Sequence, residues 1–168
     1  MDPLSIATAS ASLAGFCLAL STVIQNFIDK SQYVEITVQV LRVEINALSQ
    51  VLTSISVHFN DHSLAETALD SQTGHDAQHW KNFEGLMDDC KETLAALEHA
   101  LERMAKKSWS LARPVKQFKL EQRSGEMELL KQQIAAYRQT MSLSLQLITV
   151  YSPFLLNLKF FFTKSIPI

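Results

Sequence analysis

From Pro3 to Ile28 the chain carries no charged side chain. The run is 26 residues long, about 39 Å as a helix. A segment that long and that bare must hide at least one face from water. Asp2 can cap its first turn, and Pro3 suits the first helical position. Ile6, Leu13, Phe16, Cys17, Leu20, Ile24 and Phe27 recur largely at helical spacing. Ala7, Ala11, Gly15 and Ala19 fall four apart, and small residues at that spacing let a second helix approach closely. Ala7, Ala11, Gly15 and Ala19, with Leu13, Phe16, Leu20, Ile24 and Phe27, are therefore the expected membrane or helix-packing face.

Asp29, Lys30 and Ser31 end the bare run and predict a turn. Val34, Val38, Leu41, Ile45, Leu48, Leu52, Ile55 and Phe59 then step by four and three, the seam period of packed helices. Many are β-branched, so a strand competes over 34–43, but the sustained spacing decides for a helix from Tyr33 to Phe59. Residues 60–78 lose the period and read as an acidic, His-bearing loop. Trp80, Phe83, Met87, Cys90, Leu94, Leu97, Leu101 and Met104 restore it and predict a third helix, Ala77 to Lys107. Gly85 lies inside that helix at some cost to stability. A basic connector follows. Leu130, Ile134, Tyr137, Met141, Leu145 and Ile148 predict a fourth helix, Ser124 to Tyr151, with Glu126 and Glu128 well placed in its first turn. Ser152-Pro153 should stop it.

The expected fold is all-α: an antiparallel bundle of four long helices over 1–151, with an apolar tail of uncertain status over 152–168. The scarcity of breakers agrees. The chain has 4 Gly and 4 Pro, against roughly 20 together at average usage. Turn-rich all-β and low-complexity folds are thereby excluded.

The formal net charge of -2 conceals a strong asymmetry. Residues 58–102 carry 10 acidic groups against 2 basic, and residues 103–138 carry 9 basic against 3 acidic. Arg103, Lys106, Lys107, Arg113, Lys116, Lys119 and Arg123, with Trp109 and Phe118, are candidate contacts for an anionic surface. A solvated connector that balances the acidic third helix is the favoured alternative. No nucleic-acid motif accompanies these charges, so no nucleic-acid partner is expected.

Catalytic chemistry finds little support. His58/His62 and His75/His79 have the i,i+4 spacing of metal ligands, but most sit in the expected loop, and no metal or cofactor is expected. Cys17 and Cys90 fall on apolar stripes and read as buried small hydrophobes rather than nucleophiles or a disulfide. Asp88 and Asp89 diverge on a helix, and no phosphate loop or G-x-S-x-G occurs. The chain reads as a non-enzyme with no small-molecule substrate. Asp2, with no Lys or Arg before the apolar run, argues against a secretory signal. Two cysteines fit a reducing compartment, so the expected location is cytoplasmic, peripheral to membrane when active.

The opening Met1-Asp2-Pro3-Leu4-Ser5-Ile6 before an Ala/Ser/Gly/Leu helix resembles a fungal family. So do Leu41, Glu44, Ile45, Leu48 and Leu52, and the segment Leu130 to Leu147 with Tyr137-Arg138-Gln139-Thr140-Met141-Ser142-Leu143-Ser144-Leu145-Gln146. The family is the N-terminal domain of fungal NLR-like STAND proteins. It is HeLo-like, and is also named after the azaphilone pigments biosynthesis cluster protein L. The resemblance covers about 1–151. It implies a helical signalling or programmed-cell-death module that oligomerises, with membrane engagement by the first helix on activation. A scaffold domain that binds a protein partner or a second copy without membrane activity is the alternative. The 168 residues contain no P-loop and no repeat array. Both a receptor's front end and a free-standing effector therefore stay open.

Overall fold

A computed structural model describes the backbone of residues 3–30, 36–60, 75–108 and 125–147, and side chains within 4–29, 36–60, 81–104 and 125–147. All of the described residues are helical. The helices are α1 (Pro3–Lys30), α2 (Ile36–Asn60), α3 (His75–Ser108) and α4 (125–147). Residues 109–124 of the basic connector, the end of the expected fourth helix and the apolar tail lie outside the described residues.

α1 continues through Asp29 and Lys30, where the sequence predicts a turn. Gln25 Nε2 donates to Asp29 Oδ1 at 2.6 Å, one turn apart, and this bond supports the extra residues. α2 is described from Ile36, its expected start at Tyr33 lying outside the described residues, and α3 starts earlier than expected, at His75.

The predicted stripes become the core. Val38, Leu41, Ile45, Leu48, Leu52, Ile55 and Phe59 of α2 are buried, as are Phe83, Met87, Cys90, Leu94, Leu97, Leu101 and Met104 of α3. Leu130, Ile134 and Met141 of α4 join them, with Tyr137 and Leu145 packed against the cluster. Met127, one turn before Leu130, extends that stripe and is also buried. Each fully buried aliphatic side chain contributes about 1.5–3 kcal/mol.

Consecutive helices alternate in direction. α1 packs along α2, and residues 31–35 reach about 18 Å, far short of either helix, so the two run antiparallel. α4 is tied to α3 by Thr93–Tyr137 and Arg103–Glu126, pairs that run in opposite order along the two helices. Glu44 of α2 pairs with Arg138 of α4, beside the Thr93–Tyr137 contact. Glu44, Thr93 and Tyr137 thus share one layer of the bundle. If α3 ran parallel to α2, their linked ends would lie about 50 Å apart, the fully extended reach of residues 61–74. The antiparallel arrangement brings those ends level. α1 therefore runs in the same direction as α3, which it also contacts.

Two substitutions test this core. Leu48→Ala, at 0% exposure, is expected to cost about 2–5 kcal/mol in urea unfolding, and Val57→Ala, at 63% exposure, within about 0.5 kcal/mol. Gly85 is exposed in mid-helix, and a Cβ there would meet nothing within 4 Å. Gly85→Ala is expected to raise stability by about 0.5–1 kcal/mol in the same measurement.

Candidate functional site

The residues singled out on α1 divide between two faces. Ile6, Ala7, Leu13, Cys17, Leu20 and Ile24 are buried, and Phe16 and Phe27 pack against them in part. Ala11, Gly15 and Ala19 are exposed. A Cβ on Gly15 would meet nothing within 4 Å among the described residues, so none of the described helices packs against it. The geometry explains the split. Residues four apart drift by about 40° per step around a helix, so Ala19 lies about 120° from Ala7. Residues seven apart drift by only about 20°.

The close approach uses that second spacing. Ala7, Ala14 and Ser21 are all buried along α1. Opposite them on α2 lie Ser49 and Ser56, also buried and also seven apart. Ser49 Oγ donates to the Ala14 carbonyl at 3.2 Å, a contact that only small side chains permit. The antiparallel register sets Ser56 level with Ala7.

The far face of α1 is open and uncharged. Leu4, Leu18 and Val23 are 66%, 58% and 41% exposed, with Thr8, Ala11, Ser12, Gly15, Ala19 and Thr22 between them. Thr8 and Thr22 turn their hydroxyls inward, onto the carbonyls of Leu4 and Leu18 at 2.9 and 3.0 Å. Leu4–Asp29 is long and apolar enough to cross a membrane by length and composition, and 44% of its most apolar window is buried in the bundle.

Exposed apolar residues recur on α2 (Ile36, Val43, Val57) and on α4 (Leu129, Leu143, Leu147). The described outer face of α3 carries Lys81, Asp88, Asp89, Lys91, Glu92, Glu102 and Arg103, and none of its large apolar residues is exposed. The bundle therefore has a charged side formed by α3 and a largely uncharged side formed by α1 and α2.

Of the candidate anionic-surface contacts, Arg103 is exposed and paired with Glu126 at 2.7 Å. Lys106 and Lys107 fall on α3 without described side chains, and Arg113, Lys116, Lys119 and Arg123 lie outside the described residues. Among the histidine pairs, only His58 has a described side chain, and its Nδ1 lies 2.8 Å from the Ser54 carbonyl oxygen. No group of three potential metal ligands occurs among the described residues.

Glu44 and Arg138 are partly buried and bonded at 2.9 Å, tying α2 to α4. At the start of α4, hydrogen bonds from Lys131 and Gln132 hold the Glu128 carboxyl below the usual range. Ser10 is 0% exposed, and its hydroxyl finds no hydrogen-bond partner among the described residues. Such a group costs stability until it is paired or removed.

The described residues form an all-helical bundle with polar cross-ties and one bare helix. Residues 1–154 match the family described as pigment biosynthesis cluster protein PigL N-terminal, and the chain belongs to it. That family comprises N-terminal domains of fungal proteins. Two of the three segments whose pattern pointed to it from sequence carry Glu44 and Arg138, which bond to each other here. No curated protein and no solved structure matches the chain.

Ser10→Ala is expected to raise stability by about 1 kcal/mol in chemical denaturation. A double-mutant cycle on Glu44→Gln and Arg138→Met should return a coupling of about 1 kcal/mol, against less than about 0.5 kcal/mol for the exposed pair Arg103 and Glu126.

Proposed function

We propose that the chain is a non-enzymatic helical signalling module, acting in a cell-death or self/non-self response through oligomerisation and membrane engagement of α1. The supporting observation is the open face of α1. It is free of charge from Pro3 to Ile28, and it carries Leu4, Leu18 and Val23 in solvent. A soluble helix ordinarily turns charged and polar residues outward. Here the charge on that face is absent, and the inner face is held by the seam with α2. Opening the seam would free a helix that can lie in, or cross, a hydrocarbon layer. The working location would be cytoplasmic, at the membrane surface once active.

Surface substitutions test this better than deletion, because α1 supplies a large share of the core. Leu18→Asp with Val23→Asp changes exposed positions only. Each aspartate costs about 2.5–3.5 kcal/mol at the centre of a bilayer. Dye release from zwitterionic phosphatidylcholine vesicles is expected to fall at least about tenfold, with the circular dichroism spectrum unchanged. Equal release from parent and variant sinks the membrane reading.

The scaffold reading rests on a separate observation, the exposed leucines of α4 (Leu129, Leu143, Leu147). If the parent releases no dye, and Leu129→Asp with Leu143→Asp abolishes self-association in sedimentation, α4 carries a protein contact without membrane activity.

A further inference from the structure

Cys17 and Cys90 are both 0% exposed, on α1 and α3, inside one hydrophobic cluster. The register brings them level. Ala14 faces Ser49 across the α1–α2 seam, so Glu44 lies level with about Ala19. The same layer contains Thr93 of α3, through Tyr137 and Arg138 of α4. Cys17 comes just before Ala19 and Cys90 just before Thr93, and α1 and α3 run the same way. Both sulfurs therefore fall about 3–4.5 Å to one side of that layer. Cα atoms of the two helices approach within 8 Å of one another, and a disulfide needs Cα atoms about 4.4–6.8 Å apart.

We propose that Cys17 and Cys90 are a dithiol that closes reversibly to a disulfide under peroxide, tying α1 to α3. One thiolate attacks a peroxide oxygen, breaking the O–O bond to give a sulfenic acid and, after protonation, water. The second thiol attacks that sulfenic sulfur, forms the S–S bond and expels a second water. Both electrons of the new bond's oxidation go to the peroxide, and both thiol protons leave in the waters.

Both thiols are pushed up to about 12, Cys17 by burial and Cys90 by burial together with the charge a Cys17 thiolate would carry. In the closed bundle the thiolate is therefore scarce, and oxidation is paced by transient parting of α1 and α3. Slow oxidation distinguishes this pair from a peroxide sensor with an exposed thiol. The bond closes a long loop of chain, from Cys17 to Cys90, and it spans the helix whose release the proposed function requires. The consequence for signalling rests on that reading, whereas the bond and its effect on stability do not.

The full chain is incubated with hydrogen peroxide, quenched in denaturant with a thiol-alkylating reagent, and weighed intact. The expected result is a monomer that has lost two hydrogens, takes up no alkylating group, and yields a peptide joining Cys17 to Cys90. Its Tm should rise by about 10 °C over the reduced chain. Hydrogen exchange of α1 should slow, and dithiothreitol should reverse both changes. Cys17→Ala and Cys90→Ala should show neither change under the same oxidant. Two alkylated thiols, separate sulfinic acids, or cross-links only between chains would overturn the proposal. So would an intramolecular bond that leaves exchange in α1 unslowed. None of these readouts uses a membrane, so a failure of the membrane reading would not affect them.

Discussion

The seam between α1 and α2 is the contact on which the rest of the bundle depends. A helix without charge over most of its length cannot stand alone in water, and α2 supplies the cover for one of its sides. The cover is close because both helices set small residues seven apart along the contact: Ala7, Ala14 and Ser21 against Ser49 and Ser56. The hydrogen bond from Ser49 to the Ala14 carbonyl fixes how far the two helices can slide. Once the α1–α2 hairpin has formed, Leu41, Ile45, Leu48 and Leu52 present a continuous apolar stripe to the remaining helices. The α3–α4 pair closes over it, and Glu44–Arg138 links α2 to α4 in the observed register.

The large apolar residues made most of this core legible. On α2 and α3 the alternating steps of four and three name the buried side chains almost completely, because a 3.5-residue repeat keeps one face turned inward over several turns. The same logic fails for the small residues of α1. Spacing by four looks regular along the chain but winds around the helix, carrying Ala11, Gly15 and Ala19 to the open side. Ala14, which makes the close contact, was not part of that pattern. A small residue gives no hydrophobic contrast with its neighbours, so its side of the helix can be read only once a partner is in place.

Long-range polar pairs are illegible for a different reason. Glu44 and Arg138 both stand out within their segments, but nothing local couples residues so far apart in the chain. Cys17 and Cys90 are similar: their apolar stripes announce burial, not proximity. Their common layer emerges only from the hydrogen bonds that set the registers of all four helices. The continuation of α1 through Asp29 and Lys30 depends on a bond within one turn, from Gln25, which outweighs the turn signal of the charged residues.

The layout divides stability from availability within a single helix. The inner side of α1 is committed: Ile6, Cys17, Leu20 and Ile24 have almost no exposure, and freeing them costs core burial. The outer side is already in water and contributes little to holding the bundle together. On the proposed function, an encounter would begin on the outer side without unfolding, through Leu4, Leu18 and Val23. It can proceed to the inner side only if the new surroundings replace what α2 and α3 provide. A hydrocarbon layer or a matching helix meets that requirement, whereas water does not. The buried hydroxyl of Ser10, without a partner among the described residues, makes the inner side of the same helix less stable than its apolar burial alone would.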